Sequence, residues 1–198
     1  PTPGGNSAPP QPSASGATLL YGTFLGGSQT DRANALLLEP SGSVLVAGQT
    51  ASTDFPSLPS LQPAYGGGPN DGFLVRVDPA GSGAASVTFA SFLGGNGDDR
   101  ILALTRAADA RTLLAGQTSS TNLAVRNAPQ AGFGGGISDA LFAVLDPSLA
   151  VESLGPIGGG AEDALQLRAV NLGIGVGEAA DRTVGAADGR QHLLAVVV

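Results

Sequence analysis

Three acidic positions and one histidine carry what chemistry this sequence could support. Asp31, the pair Asp98-Asp99 and the pair Glu162-Asp163 each follow an LGG-like or IGG turn. Paired carboxylates can act as general acid and base, or bind calcium through their oxygens. Their recurrence at the same place in successive segments favours another role, the capping of turn N–H groups by aspartate side chains. The calcium reading stays open on sequence alone. His192 is the only histidine and lies among apolar residues near the end of the chain. A Ser-His-Asp triad would need it, yet no serine stands in a Gly-x-Ser-x-Gly setting. Zinc sites use several His or Cys ligands, and cysteine is absent. Glycine runs at 66–68, 134–136 and 158–160 resemble phosphate cradles only superficially, because the chain has no Lys to complete a Walker motif. They read as positive-φ turns between strands. No catalytic, cofactor-binding or metal-ligating residue is therefore expected, and no enzyme activity.

The elements that must hold these residues are short strands. Gly (31) and Pro (14) are abundant among 198 residues that are 42% hydrophobic, a mixture that suits strands and tight turns over helices. All nine cations are Arg, and the net charge of −7 argues against a nucleic-acid partner, which would need a concentrated basic surface. No apolar stretch is long enough to cross a bilayer. The chain begins on Pro1 and lacks Met, as expected of a processed terminus or a segment of a longer protein. Residues 1–16, PTPGGNSAPPQPSASG, form a Pro/Ser/Gly-rich tract expected to be a flexible arm.

The rest of the chain, 17–198, repeats. FLGG at 24–27 recurs at 92–95, an offset of 68 residues. The same offset carries Asp31-Arg32 onto Asp99-Arg100, AGQT at 47–50 onto 115–118, Asp71 onto Asp139, and Asp78-Pro79 onto Asp146-Pro147. So many blocks in one ungapped register define a tandem array. We divide it into unit 1 (17–84), unit 2 (85–152) and a compressed unit 3 (153–198). The third opens with PIGGG at 156–160 and is matched further by IGVGEA (174–179) and HLLAVVV (192–198).

Each unit is expected to hold four strands, in the first at 18–25, 33–38, 43–49 and 72–77. Pro40-Ser41-Gly42 between apolar runs marks a hairpin. Val44 and Val46 alternate with Leu45 and Ala47, so both faces of that strand are apolar and expected to be covered. The loop at 51–70 is long, with Phe55, Leu58, Leu61 and Tyr65 available to pin it.

Taken together, YGTFLGG, PSGSVLVAGQT, TDFP, YGGG and DGFLVRVDP resemble the bacterial SBBP-type β-propeller repeat. Copy one (19–81) fits nearly throughout and copy two (87–148) fits well, departing at Asn122-Leu123 where TDFP would stand; copy three keeps only its ends. The resemblance implies an all-β fold of four-stranded blades and a secreted or cell-surface setting. It implies no chemistry. About three blades fall short of the four to eight that close a propeller, so closure by partner subunits or by a longer chain is expected; a three-fold trefoil-like fold is the alternative. The functional expectation is a structural or interaction scaffold that assembles with itself or with a larger extracellular complex. The alternative is a ligand-binding or adhesion module, for carbohydrate as an example, using the long loops near Phe55, Tyr65 and Phe133.

Overall fold

The computed structural model describes residues 21–58 and 60–160. The N-terminal tract (1–16) and the body of the compressed third unit, with Glu162, Asp163 and His192, lie outside the described residues.

The fold is all-β. Two four-stranded antiparallel sheets follow one another, each with its strands in chain order. The first contains β1 (Asp31–Leu38), β2 (Val44–Thr50), β3 (Asp71–Val77) and β4 (Val87–Leu93); the second contains β5 (Asp99–Arg106), β6 (Thr112–Thr118), β7 (Asp139–Leu145) and β8 (Val151–Ile157). The hairpin at Pro40-Ser41-Gly42 joins β1 to β2, with Gly42 in the left-handed region at φ 88°. A bulge follows Ala33 in β1 and recurs after Ile101 in β5, and at each the partner strand offers a glycine, Gly48 or Gly116. A Cβ on either glycine would overlap the backbone carbonyl of Arg32 or Arg100, so only Gly fits there.

One expectation is corrected. The strand placed at 18–25 is irregular over its described part, 21–25. Its counterpart one period later, β4, pairs with β3 of the preceding sheet instead. A strand needs an edge to pair with, and among the described residues no sheet lies before β1 to offer one. Each sheet therefore straddles the sequence period: β4 comes from unit 2 and β8 begins just before unit 3. Between β3 and β4 the chain makes a short 3-10 turn at Gly83–Ser86. The link from β7 to β8 is four residues shorter and has no such turn, which is why PIGGG follows the second LGG by 64 residues.

Side chains alternate along the strands, and the pairing register sorts them onto two faces. On the first sheet, Leu45, Ala47, Leu74 and Leu93 share one face; Val46, Phe73, Val75 and Phe92 share the other. The first group joins Ile101, Leu104, Leu114, Leu141 and Leu154 of the second sheet in a single buried cluster. So the sheets stack face to face, with β5 against β1, β2 and β3. The other face of the first sheet packs under Tyr21, Leu25, Phe55 and Tyr65. Coverage on both sides explains the two-faced apolar pattern of β2.

Candidate functional site

At one end of the stack the repeated aspartates cap the LGG turns. Asp31 begins β1, opposite Thr50. Its carboxylate accepts the Gly27 N–H at 2.8 Å, the Thr50 hydroxyl at 2.5 Å and the Ser52 hydroxyl at 3.1 Å. One period on, Asp99 accepts the Gly95 N–H at 2.8 Å, the Ser120 hydroxyl at 2.6 Å and the Thr118 hydroxyl. Thr50 and Thr118 accept in turn the N–H groups of Ser52 and Ser120. Capping is thus what these carboxylates do here. Asp98 has a different role, pairing with Arg100 at 2.5 Å and accepting from the Asn70 amide at 2.9 Å.

A second pair of repeated aspartates stands at the starts of β3 and β7. Asp71 is fully buried; one oxygen accepts the Gly66 N–H at 2.6 Å and the Gln62 amide at 3.1 Å. Asp139 takes the equivalent bonds from Gly134, at 2.6 Å, and Gln130, at 3.1 Å. Each glutamine passes the connection on, its carbonyl accepting the Gly94 or Gly158 N–H of the next LGG or IGG turn. Asp71 served the sequence reading only as a marker of register, and Gln62 was overlooked. The signal was available, because the 68-residue offset carries Gln62 onto Gln130.

Asp71 and Asp99 converge on Gly94. Among the described residues the second oxygen of Asp71 has no hydrogen-bond partner, and it lies 2.7 Å from where a Gly94 Cβ would stand, with an Asp99 oxygen at 2.8 Å. Burial pushes the Asp71 carboxyl up to about 7, the facing Asp99 charge adding to the rise while the Gly66 N–H opposes it. Burial raises Asp99 as well, against the pull of the Ser120, Thr118 and Gly95 donors. Among the described residues no group of three or more His, Asp or Glu side chains gathers as a metal cluster.

At the opposite end lies an ion cluster that occurs once among the described residues. The buried Glu39 carboxylate takes both prongs of Arg76, at 2.7 and 2.9 Å, and Arg106 of the second sheet approaches at 3.4 Å. Together with Pro40, Ser41, Ser43 and Pro147 they line a shallow cavity of about 330 Å³. One period later Ala107 and Val144 replace Glu39 and Arg76, and one period earlier Leu38 stands for Arg106. The cluster is a clasp specific to this junction between sheets. Nothing in the repeat announces it.

The long loop at 51–70 is structural. Phe55 is buried, its ring 4.6 Å from Phe73 and 6.1 Å from Phe92, while Tyr65 meets Phe92 edge-on at 5.8 Å. The Leu58 N–H donates to Ala90 and the Phe92 N–H to Gln62, so the loop runs along β4 and occupies its outer edge. In unit 2 Arg126 does the same for β8 through Leu154. The departure at Asn122-Leu123 keeps both functions of the TDFP loop. Asn122 accepts the Asn96 N–H at 2.7 Å as Asp54 accepts that of Ser28 at 2.9 Å. Leu123 packs into the inter-sheet core from the position that Phe55 holds in unit 1.

No protein-family model matches this chain, and no curated protein matches it. Among the described residues no helix is long and apolar enough to cross a membrane.

Proposed function

We propose that this chain is a structural and interaction scaffold of the β-propeller type, secreted or displayed at a cell surface. It assembles with copies of itself or within a larger extracellular complex. Three features support the propeller reading: each sheet is a four-stranded antiparallel meander, each draws its last strand from the head of the next repeat, and the sheets stack face to face. The resemblance to SBBP-type repeats supports the extracellular setting.

The observation that carries the reading is the use made of the polar groups. The carboxylates Asp31, Asp71 and Asp99 serve turns and sheet junctions, and the loop aromatics Phe55 and Tyr65 pack on the first sheet. A carbohydrate platform needs open aromatic faces; of the three loop aromatics, Phe55 is 3% exposed and Tyr65 and Phe133 are half-buried. Leu36 and Leu38 of β1 leave apolar sheet surface open. Sedimentation equilibrium of the purified chain tests the proposal: a species heavier than one chain is expected, and a single-chain mass throughout the micromolar range would overturn it.

A further inference from the structure

The buried junction between the two sheets has two halves, and each half recurs one period away on an outer face. The half on the second sheet includes Leu104 and Leu114; one period earlier stand Leu36 and Val46, on one face of the first sheet. Leu104 is 6% exposed beneath the first sheet, whereas Leu36 is 68% exposed and Leu38 beside it 65%. The half on the first sheet includes Leu45, Ala47 and Leu74; one period later stand Leu113, Ala115 and Phe142, on the outward face of the second sheet. Leu45 and Leu74 are fully buried, while Leu113 and Phe142 are only half-buried. Among the described residues the molecule thus carries both halves of an interface that it already makes once; Tyr21, Leu25, Phe55 and Tyr65 cover part of the first, and its open part is the β1 edge at Leu36 and Leu38.

We propose that the face carrying Leu36, Leu38 and Val46 is a docking surface for the outward face of the second sheet of another copy of this chain, joining copies head to tail. This rests on the self-assembly reading and names its surface and its geometry. The clasp residues fix the choice of occupant. Inside the chain, Glu39 and Arg76 of one sheet meet Arg106 of the next. At the proposed junction the corresponding positions are Ala107 and Val144 on one copy and Leu38 on the other. All three ionic residues become apolar together, so Leu38 meets partners of its own chemistry instead of a buried charge. The carboxylate positions recur as well, Asp139 standing one period after Asp71 and Asp31 one period before Asp99. Such an interface is heterologous, using a different patch on each copy, and it produces a ring when the rotation per copy closes.

The test is the mass of the full chain by light scattering, for the wild type and for a Leu36→Glu/Leu38→Glu variant. Both leucines are exposed in the single chain, so the variant folds, and its circular-dichroism melt verifies that it does. The expected result is an oligomer for the wild type and complete loss to single-chain mass for the variant. Leu38→Arg alone is also expected to dissociate it, and adding Ala107→Glu is expected to restore it by placing a carboxylate opposite the new guanidinium. An oligomer that survives Leu36→Glu/Leu38→Glu overturns this surface while leaving self-assembly standing. Loss in Leu38→Arg without restoration in the double variant overturns the head-to-tail register. A wild type of single-chain mass overturns both proposals.

Discussion

Asp71 and Asp99 come from different sheets and bring a carboxylate oxygen each to the same point beside Gly94. Neither is exposed, and neither has an arginine as its partner. The fold thus holds two acids against each other where its sheets meet. Burial, with the facing Asp99 charge, pushes the Asp71 carboxyl up to about 7, so Asp71 keeps its proton at mildly acidic pH.

This makes stability depend on pH. The Asp71 carboxyl titrates at about 7 in the native state, against 3.8 ordinarily. Between those values the native state holds a proton that the unfolded chain has released, so stability falls as pH rises through the window and levels off above it. Asp71→Asn keeps an acceptor for Gly66 and Gln62 and carries no charge. It is expected to flatten the pH dependence between pH 4 and 8 and to raise stability at pH 8 by on the order of 2 kcal/mol. Urea titrations at both pH values read this directly; a variant as pH-dependent as the wild type would assign the effect elsewhere.

Asp99 leads to the opposite expectation. Its oxygens serve one N–H and two hydroxyls, and Asp99→Ala orphans all three in a buried site. The expected loss is about 3 kcal/mol. Because those oxygens are engaged by donors, EDTA is expected to leave the melting temperature unchanged. A downward shift reversed by calcium would show that the caps hold an ion as well.

Ala110 adopts φ 69° at the turn where Gly42, one period earlier, adopts φ 88°. An alanine there is strained and a glycine is not. Ala110→Gly is expected to stabilise by about 1 kcal/mol and Gly42→Ala to destabilise by a similar amount. Gly116→Ala is a harsher change, since its Cβ would overlap the Arg100 carbonyl. It is expected to cost about 3 kcal/mol or more. Thermal melts of the three variants rank them.

Phe55→Ala removes the ring that ties the long loop to Phe73 and Phe92. The expected cost is about 3–5 kcal/mol. Proteolysis confined to 51–70 is expected to accelerate with it, and cleavage elsewhere first would mean the loop is held by its backbone bonds to β4.

Much of this fold was legible in the sequence because its information is periodic. The AGQT and DP blocks located β2, β3, β6 and β7 to within a residue or two, since alternating apolar runs between turn residues leave little choice. Phase was harder. A repeat of 68 residues looks the same wherever it is cut, and nothing local says whether a strand completes the sheet before it or starts the one after. The irregular stretch at 21–25 and the sheet-completing β4 have nearly the same sequence and different fates. The Glu39, Arg76 and Arg106 clasp was invisible for the converse reason: its members are scattered, occur once, and meet only when one sheet lies on the next. Asp71 was in plain view as a repeated residue, but its burial against Asp99 follows from stacking alone.

Because the last strand of each sheet is encoded at the head of the following period, a gene that lengthens by whole periods never adds a free-standing piece. Each duplication supplies one strand to the sheet already present and three to the sheet it begins, so the newcomer is stitched in by main-chain bonds from the start. The inherited segment and the folding segment are different lengths of the same chain, out of step by one strand. A recombination event that cuts at the folding boundary leaves both fragments able to pair; one that cuts at the hereditary boundary leaves a three-stranded sheet with a bare rim. Such arrays can therefore grow by whole periods, and they part cleanly only where the cut falls on the folding boundary.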